Sequence, residues 1–255
     1  MKAEYSSGST SIHYDKILTH MKRILITAAE PEEIVCAEQA YRLYERNVEG
    51  KLEVDFLLTG IGTTSTCYRL TKMIMEAKHS GNPYSLIINI GIAGSYSFND
   101  TPQGPALFPM GSTAVIEKEY FGDLGFETPF GFQTLFQYDI LDADVFPFKG
   151  GALHRVKLDE KIEKYLANFK EGIGVTVQTV TGYPNRKEQL IKDFGPHIES
   201  MEGAAVYYVS LQEDIPFFEL RTVSNEVGEK DREKWNTPMA LESLRRAMNE
   251  FFKIW

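Results

Sequence analysis

Apolar runs of strand length alternate along the chain with stretches of helical spacing. The first run is Arg23-Ile24-Leu25-Ile26-Thr27-Ala28-Ala29. Pro31-Glu32-Glu33-Ile34 then opens a helix. Proline loses nothing in the first turn, where its missing N–H has no partner anyway, and acids there meet the positive end of the helix dipole. That helix is expected to reach Asn47. Lys51 to Leu58 reads as a second strand, and Gly60-Ile61-Gly62 turns it into a helix from Thr64 to His79, which Gly81-Asn82-Pro83 breaks. Ser85-Leu86-Ile87-Ile88-Asn89-Ile90 is a continuous apolar run, as in a strand covered on both faces, and it ends in Gly91-Ile92-Ala93-Gly94.

Residues 95–155 are rich in Gly, Pro and Phe and predict short strands and loops, Ala114-Val115-Ile116 among them. Further on, a strand is expected over Ile173–Val180 and a helix over Arg186–Phe194. A second helix follows over Glu202–Glu213, then a strand over Phe217–Val223 and a last helix over Pro238–Phe252. Strand–helix alternation with glycine turns at strand ends predicts a doubly wound α/β sheet, in which ligands sit at the carboxyl ends of the strands. No internal repeat or low-complexity linker appears, which favours one domain over residues 21–255. Residues 1–20 are polar, lack the apolar core of a secretory signal, and are expected to form a flexible extension.

Composition narrows the function more than the fold. The chain has 255 residues, 43% of them hydrophobic, enough for a sizeable core. Its formal net charge is -9, and that field repels nucleic-acid backbones and anionic membranes. No run of about 18 apolar residues occurs to span a bilayer. A small nucleoside-sized ligand in a cytoplasmic protein fits this balance, with neither nucleic acid nor membrane as partner. Cys36 and Cys67 form no Cys-x-x-Cys pair and no Cys/His cluster, so reduced thiols and no metal site are expected.

Five groupings invite chemistry, and each has a plainer reading. Glu30-Pro31-Glu32-Glu33 after the first strand either complements a helix dipole or supplies a general base. Gly60-Ile61-Gly62 imitates a dinucleotide fingerprint, but its third glycine is missing and it follows the second strand, so close backbone packing is the better reading. Gly91-Ile92-Ala93-Gly94-Ser95 is a tight turn or a place where backbone approaches a ligand. Glu202, in Glu199-Ser200-Met201-Glu202-Gly203-Ala204-Ala205, either caps a helix or accepts hydrogen bonds from two ribose hydroxyls. Arg221 and Asn225, in Arg221-Thr222-Val223-Ser224-Asn225, serve as a salt bridge and a turn residue, or as groups that meet a ligand.

Taken together and in order, these stretches resemble the purine nucleoside phosphorylase and nucleosidase superfamily from about residue 22 to 252. The specific markers are Asn89-Ile90-Gly91-Ile92-Ala93-Gly94, Glu199-Ser200-Met201-Glu202-Gly203-Ala204 and Arg221-Thr222-Val223-Ser224-Asn225. The stretches Phe121-Gly122-Asp123-Leu124-Gly125, Thr179-Val180-Thr181-Gly182 and Asp231-Arg232-Glu233-Lys234-Trp235-Asn236-Thr237-Pro238 resemble the futalosine hydrolases in particular. The resemblance implies a single-domain, three-layer α/β/α fold with a twisted, mixed central sheet. It also implies hydrolysis of futalosine to hypoxanthine and dehypoxanthinyl futalosine, on the way to menaquinone, without metal or organic cofactor, by a homo-oligomer.

By the same resemblance, Glu32 or Glu33 acts with Arg221 on the attacking water, the acid-then-aliphatic pattern of Glu33-Ile34 favouring Glu33. Met201 packs on the nucleoside and Glu202 holds the ribose hydroxyls. Ala93 and Gly94 line the pocket, while Ser224 and Asn225 face the purine. Trp235 covers the 5′ substituent, or else anchors an amphipathic helix. Nucleosidases that cleave adenine nucleosides resemble the chain but carry Asp where Asn225 stands. A phosphorolytic site must hold a dianion, whereas this helix opens with three glutamates. Even one like-charge pair at 4 Å costs about 1 kcal/mol in bulk water. The rival readings are a nucleoside phosphorylase, a methylthioadenosine nucleosidase, a non-catalytic nucleoside binder and a nicotinamide-dependent oxidoreductase.

Overall fold

In the computed structural model a central sheet flanked by helices carries the site. The structure describes residues 23–45, 52–96, 107–129 and 131–255; the proposed extension 1–20, the helix end at Asn47 and the strand start at Lys51 lie outside them. The strands are β1 (Arg23–Ala28), β2 (Glu53–Leu58), β3 (Leu86–Ser95), β4 (Thr113–Phe121), β5 (Gly125–Thr128), β6 (Gly131–Thr134), β7 (Leu153–His154), β8 (Lys170–Thr176), β9 (Ile198–Ser200) and β10 (Phe217–Glu226). The helices are α1 (Pro31–Glu45), α2 (Thr63–His79), α3 (Glu160–Leu166), α4 (Pro184–Phe194), α5 (Gly203–Gln212) and α6 (Thr237–Phe252).

The central sheet is mixed, in the order β10-β4-β8-β9-β3-β1-β2, and β10 also pairs with β3. That extra pairing closes β3, β9, β8, β4 and β10 into a ring, with β1 and β2 extending it on one side. Strand–helix alternation alone does not foretell the ring, because β9 and β4, the antiparallel partners of β3 and β10, come from weakly patterned segments.

Two apolar clusters cover the sheet, one on each side. Ile24, Ile26, Ile88 and Phe218 meet α1, α3 and α6 through Ala37, Ile162, Leu244 and Phe251. Leu25, Ile87 and Phe217 meet α2 and α5 through Leu70, Ile74, Val206 and Tyr207. The alternation of successive side chains along a strand explains the split: even-numbered β1 residues face one layer and Leu25 the other. The fold is α/β with helices on both faces of a mixed sheet, as the resemblance implies. Among the described residues no helix is long and apolar enough to cross a membrane.

Three boundaries differ from expectation in ways that matter. β3 runs on through Gly91 and Gly94 to Ser95, so the small residues are strand, not a tight turn. Its partner β10 continues past Val223 to Glu226. The strand expected over 173–180 is β8, three residues earlier at its start and ending at Thr176, where the chain leaves the sheet for the loop 177–183. α3 was not expected; its turn is set by Asp159, whose carboxylate accepts from Lys161 N.

Candidate active site

Gly91 and Gly94 on β3 are three residues apart, whereas Arg221 and Asn225 on β10 are four apart. The pairing resolves the mismatch: Arg221 stands opposite Gly91, Asn225 opposite Gly94, and a register shift between Val223 and Asn225 absorbs Ser224 as the extra residue. Such a bulge re-aims the side chains that follow it. Each glycine makes room for its neighbour. A Cβ on Gly91 would lie 2.3 Å from Arg221 Nη1 and 2.9 Å from Glu33 Oε1; one on Gly94 would lie 3.3 Å from Asn225 Nδ2.

Gly91→Ala is therefore expected to cost about 1–3 kcal/mol of stability by overpacking. It should also lower activity at least about tenfold by displacing Arg221. Chemical denaturation and a rate assay on the variant check both; wild-type values for the two would mean that Arg221 does not need this gap.

Glu33 shows the plainer of its two sequence readings. It is the third residue of α1, and its Oε2 accepts from the backbone N–H of Glu30 (3.0 Å) and of Ala29 (3.1 Å), which caps the helix start. Its Oε1 accepts from Ile92 N at 2.8 Å. Glu33 is buried while Glu32 is exposed, although both border the same cavity. Burial raises the pKa of Glu33, opposed by Arg221 and by the N–H groups of Ile92 and Glu30; Glu202 adds a smaller push upward. A carboxyl held up in this way is a candidate for proton transfer.

Arg221 is 1% exposed and sits among acids. Its Nε donates to Glu219 Oε1 at 2.5 Å and its Nη2 lies 3.5 Å from Glu202 Oε2. Burial disfavours its charge, but Glu219, then Glu202 and Glu33, outweigh that and push its pKa up. Glu202 is also buried, and its Oε1 accepts from Gly62 N at 3.1 Å. The Gly60-Ile61-Gly62 loop, with φ of 72° and 90° at its glycines, thus brings backbone against Glu202. That is the close packing expected of it. Glu202 is the N-cap residue of α5, yet its side chain makes no cap hydrogen bond and turns to Gly62 and Arg221 instead.

A cavity of about 440 Å³ opens above these groups. Ala93, Gly94, Met201, Glu202, Ser224, Asn225 and Trp235 all border it, together with Glu33. Arg221 does not; it underlies the floor. The Ser224 hydroxyl lies 2.7 Å from Asn225 Oδ1 and 3.2 Å from Ala93 O. It fixes the amide so that Nδ2 donates to Glu226 O at 3.0 Å. An amide has two N–H donors, so one remains for a ligand rather than two. Trp235 belongs to the turn between a short 3₁₀ helix (Arg232–Lys234) and α6, and its Nε1 donates to Glu229 O at 3.2 Å, so it is no helix anchor.

Sequence reasoning missed Ile61, Val180 and Glu199 on the cavity wall. Ile61 is 57% and Val180 51% exposed, and exposure of single aliphatic residues has no sequence pattern. Glu199 stands opposite Gly94 across β9, and its oxygens accept from Tyr96 Oη at 2.6 Å and Thr181 N at 3.0 Å.

The fold agrees with what the chain is similar to. The phosphorylase superfamily model matches residues 20–255. A futalosine hydrolase of Thermus thermophilus is 31% identical over 76% of this chain and 78% of its own length. A 5'-methylthioadenosine/S-adenosylhomocysteine nucleosidase of Listeria monocytogenes is 30% identical over 76% of each. The solved structure of futalosine hydrolase from Helicobacter pylori superposes with a TM-score of 0.68 at 17% identity, covering 92% of this chain and 97% of that one. The chain belongs to the phosphorylase superfamily.

Proposed function

We propose that this protein hydrolyses the N-glycosidic bond of futalosine, releasing hypoxanthine and leaving dehypoxanthinyl futalosine. The chain is an N-glycosyl hydrolase of the nucleosidase type, related to futalosine hydrolases and methylthioadenosine nucleosidases alike. Breaking the bond develops positive charge on the ribose and negative charge on the purine. Glu33, on the cavity wall and held above the ordinary carboxylate range, takes the proton of the attacking water. Arg221 holds Glu202 in place, and Glu202 accepts the ribose hydroxyls. Met201 and Trp235 give the apolar walls, and Asn225 donates its free N–H to the departing base.

The observation that carries the choice of base is Asn225. Ser224 and Glu226 O hold its amide, which leaves one N–H to donate to a single acceptor of a 6-oxopurine, N7 or O6. Water rather than phosphate is supported by the rim, where Glu30, Glu32 and Glu229 outnumber Arg232 around the cavity. The protein acts in the cytoplasm as a homo-oligomer, with no metal or organic cofactor, on a route to menaquinone. Measuring kcat/KM for futalosine and for methylthioadenosine, with and without phosphate, tests this. A preference for methylthioadenosine, or a requirement for phosphate, would overturn it.

Glu202→Gln separates the ribose role from the capping role. A carboxylate accepts two charge-assisted hydrogen bonds from adjacent hydroxyls, and an amide accepts at one atom only. The variant should lose about 1.5–3 kcal/mol, or roughly 10- to 150-fold, in kcat/KM for the ribonucleoside. Inhibition by free hypoxanthine should hardly change. Equal, small losses on ribo- and 2′-deoxynucleosides would make Glu202 purely structural.

A further inference from the structure

Below the cavity lies a pair of side chains that the proposed chemistry leaves unused. Glu119 in β4 and Glu219 in β10 are both fully buried. They converge at the first residue of α5: a Cβ on Gly203 would lie 2.5 Å from Glu119 Oε1 and 2.9 Å from Glu219 Oε1. A glycine there leaves the space into which both carboxyls project. Glu119 also fills the gap at Gly174 of β8, where a Cβ would overlap it.

Their hydrogen bonds are incomplete in a telling way. Glu119 Oε2 accepts from the Thr176 hydroxyl at 2.9 Å, and Glu219 Oε1 accepts from Arg221 Nε. Glu119 Oε1 has no donor, whereas Glu219, which stands opposite Asn89 of β3, also meets the Asn89 amide. Buried carboxylate oxygens without donors are costly, and a proton between two carboxyls removes that cost. Charge leads to the same conclusion. Glu33, Glu119, Glu202 and Glu219 surround a single guanidinium, so ionising all four would leave a large uncompensated negative charge in the interior. Tyr207 of α5 also faces both carboxyls, with Arg155 in electrostatic reach of it, and its hydroxyl donates to Ile116 O. Burial raises the pKa of both glutamates; Glu219 drives Glu119 higher still, while Arg221 restrains Glu219.

We propose that Glu119 is a neutral carboxylic acid whose proton lies between it and an ionised Glu219, and that this pair fixes the orientation of Arg221 under the site. Both are positioning residues. Glu219 anchors Nε, which leaves Nη2 directed at Glu202 and Nη1 lying across Gly91 beside Glu33. The inference rests on the functional reading only in taking Arg221 as part of the site.

Two residues of the same type should therefore behave oppositely. Glu119→Gln keeps a neutral donor towards Glu219, so kcat/KM should stay within about threefold and the pH profile should not move. Glu219→Gln frees Arg221 to shift, and a misplacement of about 1 Å can cost about 10²-fold in rate. Infrared spectroscopy reads the proton without any substrate. The C=O stretch of a buried, protonated carboxyl should persist in wild type at neutral pH, survive in Glu33→Gln, and vanish in Glu119→Gln. Absence of that band from the folded wild type, or its survival in Glu119→Gln, would overturn the proposal. So would a loss of rate in Glu119→Gln as large as in Glu219→Gln. If Glu219→Gln does not fold, the infrared result on wild type and Glu119→Gln decides alone. The band is independent of which nucleoside is cleaved, so failure on futalosine would leave this inference standing.

Discussion

Glu33→Gln is expected to lower turnover by about 10²–10⁴-fold while leaving nucleoside affinity within a few-fold. The amide fits the same place. Its oxygen still accepts N–H donors, but it takes no proton from water, and its NH2 group would face N–H donors from Ala29 and Glu30 or from Ile92. A modest loss of stability should accompany the loss of rate. The pH dependence follows from the direction of the shift. Only ionised Glu33 acts as a base, and burial holds its pKa above the ordinary carboxylate value. The acid limb of kcat/KM should then fall at a pH above about 4.3, the unperturbed value for Glu. The limb should disappear from the residual activity of Glu33→Gln. The sign for stability is the reverse of a salt-bridged acid. A raised folded pKa means that the folded state binds the proton better, so this group weakens folding as pH rises from its unfolded pKa through the folded one. Rate assays and equilibrium unfolding across pH check both statements; a variant of normal rate would remove Glu33 from the mechanism and move attention to Glu32.

Asn225→Asp is expected to shift preference from 6-oxo towards 6-amino purine nucleosides by about 1–3 kcal/mol, roughly 5- to 150-fold in the ratio of kcat/KM. In the wild type, Ser224 donates to Oδ1 and Nδ2 donates to Glu226 O. An ionised aspartate would set a negative oxygen against that carbonyl and against the acceptors of a 6-oxopurine. Protonated at one oxygen, it could donate to N7 and accept from the amine of adenine. Sites built on such matching discriminate strongly, because the wrong base leaves a buried polar group unpaired. The measurement is kcat/KM for futalosine and its 6-amino counterpart with both proteins. An unchanged ratio would mean that Asn225 does not read the base.

Much of this was legible before the structure. Buried strands write themselves as apolar runs, and β1, β3 and β10 were found because Ile24–Ile26, Leu86–Ile90 and Phe217–Leu220 are nearly unbroken. The candidate residues Glu202, Arg221 and Asn225 stand out because charged and amide groups interrupt apolar or small-residue stretches, while the preference for Glu33 over Glu32 comes from the resemblance. What stayed hidden depends on pairing between distant segments. The ring closure needs β10 to bond both β3 and β4, and no local pattern encodes that. The bulge at Ser224 is present in the sequence only as a spacing of three against four, which means nothing until the strands are aligned. Glu119 and Glu219 carry no signal of their own in the sequence; only the empty place at Gly203 shows that they meet. The wall residues Ile61, Val180 and Glu199 lie in loops or at a short strand, where side-chain direction follows from tertiary contacts.

The central claim is hydrolytic release of hypoxanthine from futalosine, and chromatography with mass detection tests it directly. Purified protein is incubated with futalosine in phosphate-free buffer and the products are separated. The account predicts equal amounts of hypoxanthine and dehypoxanthinyl futalosine, formed at a rate that added phosphate does not raise. Intact futalosine after incubation with protein that cleaves methylthioadenosine, or a sugar phosphate formed only when phosphate is present, would contradict it.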